Sequence, residues 1–120
     1  MPAPTVLALS LDCDDASASA AFWAGLLDGE VTYEADGVAA VEAPGLTMYF
    51  GELDGYQPPG WPSDAKQMHL DLRGADPGSY ADTVRELGGS VPDDQPGGDR
   101  WTVYLDPAGH PFCISGGDAS

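Results

Sequence analysis

A chain of 120 residues, 42% hydrophobic, with three Trp, five Tyr and three Phe, holds one modest core, which excludes a disordered tail and an enzyme with separate cofactor and substrate domains. Twenty acidic residues against four basic ones give a formal charge of -16, a surface that repels phosphate backbones and anionic lipid and so excludes nucleic acid and membranes as partners. No apolar run reaches the roughly 18 residues of a bilayer span, the N-terminus has no basic signal-peptide region, and Cys13 and Cys113 read as thiols of a cytoplasmic protein rather than a disulfide framework.

The run TVLALSLD predicts a first strand over 5–12, and ASASAAFWAGLL predicts a helix over about 16–27, with Asp14, Asp15 and Ser17 as N-cap candidates and Gly29 as its stop. Phe22, Trp23, Leu26 and Leu27 fall at helical spacing and are assigned to the core, Trp23 toward its periphery. EVTYEA and VAAVEA flank Asp36-Gly37, a two-residue hairpin signal. LTMYFGEL, over 46–53, follows the Pro44-Gly45 turn as a further strand. Residues 54–65, DGYQPPGWPSDA, are too rich in Pro and Gly for a ladder or a helix and form a linker. Beyond it come a strand over 66–73 and a helix over about 76–87, opened by Asp76 and Pro77 and ended by Gly88 and Gly89. A short strand at GSV, then RWTVYLD, the turn DPAGH and PFCIS complete the chain.

LLDGEV at 26–31 matches ELGGSV 60 residues on, and the helix-opening Asp15 and Asp76 lie 61 apart. A duplicated βαβββ unit is the simplest account. The expected fold is therefore α+β, with one module over about 4–53 and another over about 66–116, whose curved mixed sheets wrap a shared cleft. In the second module QMHLDLRGAD alternates apolar Met68, Leu70 and Leu72 with His69 and Asp71, so one strand face carries an imidazole beside a carboxylate. A metal ligand, a catalytic base with its orienting acid, and a plain solvated pair all fit that face.

The segments DCDDASASAAFWAGLLDGEV, MHLDLRGAD and WTVYLDPAGHPFCI resemble the vicinal oxygen chelate superfamily, which includes glyoxalase I, bleomycin-resistance proteins and extradiol dioxygenases. The DPAG turn between two strands is the most specific of these features. The resemblance implies four metal-ligand places on the cleft face, on the first and fourth strands of each module. Leu7, Leu9 and Leu11 then face the first helix, Ala8, Ser10 and Asp12 face the cleft, and the four places hold Ala8, Tyr49, His69 and Cys113. Only His69 and Cys113 are ordinary ligands, fewer than a zinc-type centre needs and too soft for magnesium or manganese. Asp71 lies two residues from His69, about 6.5 Å along a strand. No metal and no cofactor are expected.

What remains is small-molecule handling without a complete metal centre. Sequestration of a natural product or antibiotic, cationic to suit the acidic charge, is the first expectation, and a glyoxalase-like lyase or isomerase with His69 as general base is the alternative. Ligand-binding candidates are Tyr49, Trp61, His69, Asp71 and Cys113. Trp61, framed by prolines, either lids the cleft or seals the seam between modules. Cys113 is either a nucleophile beside histidine or a small buried residue, and Cys13 is core filler. Trp101 and Tyr104 have opposite parity, so one of them faces the cleft, and the sequence leaves open which. The resemblance also implies a homodimer.

Overall fold

The structure, a computed structural model, describes residues 2–62 and 68–116. The chain divides between Tyr56 and Gln57 into two compact units. In the first, β1 (Leu9–Cys13), α1 (Ala16–Leu27), β2 (Glu30–Ala35), β3 (Val38–Ala43) and β4 (Leu46–Glu52) follow in chain order. They form a sheet ordered β1-β4-β3-β2 in which β1 runs parallel to β4. In the second, β5 (Leu70–Arg73), a 3-10 turn (Pro77–Tyr80), α2 (Ala81–Glu86), β6 (Trp101–Leu105) and β7 (Pro111–Ser115) form a sheet ordered β5-β7-β6, again with its first and last strands parallel. The fold is α+β, two open mixed sheets built on a βαβββ plan. Among the described residues no helix is long and apolar enough to cross a membrane.

Local chemistry explains most element ends. The Asp15 side chain accepts from the Ala18 N–H at 3.1 Å, and the Glu52 carboxylate reaches from β4 to the Ala16 N–H at 3.0 Å. Two acidic groups thus satisfy two of the orphan donors at the positive end of α1. At its other end the left-handed residue is Asp28, with φ 57. Gly29 is there for space, since a Cβ would lie 2.6 Å from the Glu42 carbonyl oxygen of β3. Asp36 and Gly37 take φ 55 and 78, the paired positive values of a tight hairpin turn. Packed on β2, β3 and β4, α1 buries Phe22 and Trp23 edge to face at 5.3 Å over Val41, Met48 and Phe50. Trp23 is only 1% exposed, so it belongs to the core and not to its edge.

Several expectations are corrected. The first strand begins at Leu9 and not at residue 5, and Leu7, expected beneath the helix, is 77% exposed. Of the strand expected over 66–73, residues 66 and 67 lie outside the described residues and the ladder starts at Leu70. The second helix splits into a 3-10 turn and six α-helical residues, because Gly78 and Ser79 are poor helix formers in its first turn. The GSV strand shrinks to one bridge between Ser90 and Leu105, closed by two bonds of 2.9 Å. Pro92 follows and has no N–H with which to continue a ladder.

Beyond that bridge a side chain takes over from the missing strand. Gln95 Oε1 accepts from the Val103 N–H at 2.8 Å, while its Nε2 donates to the Val103 and Pro92 carbonyls, each at 2.9 Å. The primary amide reproduces the donor and acceptor of a peptide group, so the outer edge of β6 is paired at Val103, which is fully buried.

The turn joining β6 to β7 is locked by Asp106, 3% exposed, which accepts from the Ala108 and His110 N–H groups at 3.0 and 2.8 Å and pairs with His110 Nδ1 at 2.7 Å. Gly109 has φ 85, and a Cβ there would lie 2.7 Å from Pro58 Cβ. The DPAGH run therefore fixes both the hairpin register and the course of the segment before Trp61.

Candidate functional site

The register of the second sheet decides which side chains meet. Asp71 pairs with Cys113, Cys113 with Val103, and Ser115 with Trp101. Paired residues share a face and the period is two, so Asp71, Cys113, Ser115 and Trp101 project to one side. His69, two residues before Asp71, joins them. Leu70, Phe112 and Tyr104 project to the other side, where Tyr104 stacks on Phe112 at 5.7 Å and its hydroxyl donates to the Pro77 carbonyl. Burial pushes the Tyr104 phenol above its ordinary value. Trp101 is thus the aromatic residue on the site face and Tyr104 a core residue.

The face opens on a cavity of about 540 Å³. Strand residues Asp71, Cys113, Ser115 and Trp101, with His69, form its floor, and the loop residues Trp61 and Pro96 form its rim. The two indoles are held. Trp61 Nε1–H donates to the Asp94 carbonyl at 2.9 Å. Trp101 lies against Gly97, where a Cβ would come within 2.4 Å of the ring, and the Arg100 guanidinium stands 5.9 Å from the ring centroid. Gln95, by tying its own loop to β6, sets both Pro96 and Gly97 in place.

On the floor, His69 Nε2 lies 3.3 Å from Asp71 Oδ1, with side chains 37% and 70% exposed. Although their backbones are two strand positions apart, the side chains lean together and close the separation expected from the sequence. Cys113, 7% exposed, forms no disulfide, and its Sγ lies with the His69 and Asp71 donor atoms in a group spanning at most 4.8 Å.

Four candidates, Trp61, His69, Asp71 and Cys113, thus line one cavity of the second unit. Tyr49 belongs to the first unit, paired with Ser10 and Ala40. There it lines a depression of about 420 Å³ with Tyr33, Val38 and Thr47 among its neighbours. The Ser10 to Tyr49 pairing is the counterpart of Asp71 to Cys113. Of the four metal places implied by the resemblance, Ala8 offers no donor and Tyr49 only a phenol, a set that does not fit a hard divalent ion. Pro96, Ser115 and Gln95 were not singled out from the sequence. The hairpin register signals Ser115: once Leu105 pairs with Pro111 across the DPAGH turn, odd-numbered residues of both strands share a face.

Comparison with known proteins agrees with this architecture. No curated protein sequence matches the chain. Among solved structures, the fosfomycin resistance protein FosX from Listeria monocytogenes, in an E126Q mutant complexed with Mn(II) and 1S,2S-dihydroxypropylphosphonic acid, superposes with a TM-score of 0.71 at 18% identity, covering 97% of this chain and 92% of that one. FosX from Mesorhizobium loti gives a TM-score of 0.69 at 15% identity, with 97% and 94% coverage. The bleomycin-binding protein from Streptomyces verticillus, complexed with copper(II)-bleomycin, gives 0.62 at 17% identity, with 98% and 99% coverage. At such identities the likeness is one of fold. A family model for the glyoxalase-like domain matches residues 8–115, and the chain belongs to that family, within the vicinal oxygen chelate superfamily.

Proposed function

We propose that this protein binds a small organic cation with a planar group in the cavity of its second unit, sequestering it without a complete metal centre. The observation that carries this reading is the pair of fixed indoles, Trp61 and Trp101, bordering the same space as the Asp71 carboxylate. Indole faces attract cations and planar rings, and a carboxylate supplies the counter-charge. The formal charge of -16 enriches cations near the surface. That the bleomycin-binding protein of this fold is complexed with a natural product supports the same direction. A cytoplasmic location is consistent with two buried thiols in no disulfide. Pairing of two copies is supported by the exposed apolar residues Val31, Tyr33 and Val38, and sedimentation velocity measures it.

The test is a thermal-shift and tryptophan-fluorescence titration against cationic antibiotics, with neutral analogues as controls. A true ligand at 100 times its Kd adds about 2.7 kcal/mol of stability and quenches emission, and Trp61→Ala abolishes both effects. A panel in which no cation gives a saturable response, or in which Trp61→Ala binds as well as the wild type, rejects the reading.

The contact between His69 Nε2 and Asp71 Oδ1 favours a second reading. In it His69 moves a proton as the general base of a glyoxalase-like lyase or isomerase while Asp71 orients its ring. Turnover that persists in His69→Ala eliminates it.

A further inference from the structure

We propose that Arg73 and Ser115 form an anion subsite at one end of the cavity floor, so that the guest is a zwitterion, a planar ring bearing a carboxylate as well as a cation. The cationic half rests on the reading of Trp61, Trp101 and Asp71 given above, and the anionic half is new. It starts from an arginine that no acid claims. The chain has four basic residues against twenty acidic ones. Of the three basic residues that the structure describes, Arg85 pairs with Asp82 at 3.7 Å and Arg100 stands against the Trp101 ring. Arg73 is exposed and forms no ion pair among the described residues. Amid so much negative charge, its guanidinium keeps a full fork of N–H donors open.

The sheet register puts that arginine on the cavity face. Arg73 pairs with Ser115 as Asp71 pairs with Cys113, and paired residues share a face, so Arg73 lies one strand repeat, about 6.5 Å, beyond Asp71 on the same side. Ser115 itself lines the cavity with Asp71 and Trp101. The backbone there is fixed. The Gly74 N–H donates to the Ser115 carbonyl at 2.8 Å, and a Cβ on Gly74 would lie within 2.8 Å of Tyr80 and Ile114. Asp71 does not neutralise its neighbour, because its carboxylate leans the other way, to His69 Nε2 at 3.3 Å. The floor thus holds two opposite charges apart instead of pairing them. A guanidinium binds a carboxylate through two parallel N–H···O bonds, and the Ser115 hydroxyl supplies a third donor. A formal charge of -16 repels free anions, so the guest is drawn in by its cation and its acid is then captured locally. The spacing selects a guest whose two charges sit at opposite ends of one ring.

The experiment titrates the protein with three matched probes and follows its backbone amides by NMR. The probes are para-(aminomethyl)benzoic acid, a rigid zwitterion, para-(aminomethyl)benzamide, its cation-only counterpart, and para-methylbenzoic acid, its anion-only counterpart. The zwitterion is expected to bind at least about tenfold more tightly than the amide, the gain of a charge-assisted pair, and to shift the Arg73 and Ser115 amides. Arg73→Ala brings acid and amide to the same affinity. Arg73→Lys restores part of the difference, since an ammonium is a point charge without the fork, and Arg85→Ala, which removes an equal charge elsewhere, keeps all of it. Arg73 is exposed, so the melting curve of Arg73→Ala matches the wild type. A wild type that binds acid and amide alike, or an Arg73→Ala variant that still prefers the acid, overturns the subsite. Both acids binding alike through Arg73, with no response to the amide, rejects the cation reading and upholds the subsite. No response to any of the three rejects both.

Discussion

Replacing Gln95 by alanine removes the one side chain that pairs the β6 edge at Val103, and the cost follows from the bonds it makes. Three contacts of 2.8 to 2.9 Å are lost. Two of them serve the N–H and C=O of Val103, a residue with no exposed surface. A buried backbone group left without a partner costs about 1–3 kcal/mol. The Pro92 carbonyl regains water more readily, and the total for the two Val103 groups is about 2–6 kcal/mol. Urea denaturation followed by circular dichroism measures it as a lower midpoint at unchanged slope. Gln95→Glu is the sharper control, because a carboxylate still accepts from the Val103 N–H but faces two carbonyl oxygens it cannot donate to; it is expected to be at least as destabilising as alanine. The loop also carries Pro96 and Gly97 to the cavity, so Gln95→Ala loses ligand affinity as well. An alanine variant within about 0.5 kcal/mol of the wild type, the ordinary range for an inconsequential surface change, refutes the reasoning.

Gly29→Ala sets a Cβ 2.6 Å from a backbone carbonyl of β3, and the forced shift of α1 costs about 1–3 kcal/mol; a melting temperature equal to that of the wild type contradicts the close approach. Burial raises both the Cys13 thiol and the Tyr104 phenol. Each is neutral when protonated, so the folded chain keeps protons that the unfolded chain has released, and stability falls with rising pH in that range. The contribution is complete below the unfolded values, about 8.5 for Cys and 10 for Tyr, and is lost as pH rises through the folded values. Unfolding free energies measured from pH 7 to 11 follow that decline, and Tyr104→Phe makes it shallower; an identical slope in the variant counts against burial of the phenol as the cause.

How much was legible beforehand depends on the range of the interaction. α1 and its Asp15 cap are local and were readable, as were the Asp36-Gly37 hairpin and the parity of His69 and Asp71. Tyr49 was assigned to the strand over 46–53, and β4 carries it, but its pairing with Ser10 was not read from the sequence. What was missed is non-local. The start of β1 at Leu9 does not follow from the alternation, which extends back through Leu7. The collapse of the GSV strand turns on Pro92 and on a glutamine eight residues from the backbone it pairs. That Asp71 leans to within 3.3 Å of His69 is a rotamer outcome, invisible to a spacing argument that knows only where Cα atoms lie.

The cavity floor and its rim have different origins. Asp71 and Cys113 owe their spacing to a hydrogen-bonded ladder, which insertions elsewhere leave unchanged, while Trp61 and Pro96 ride on connecting segments free to drift in length and composition. Descendants of this chain can therefore exchange the rim residues while inheriting the floor unaltered, a division of labour that lets one part of the cavity diversify faster than the other.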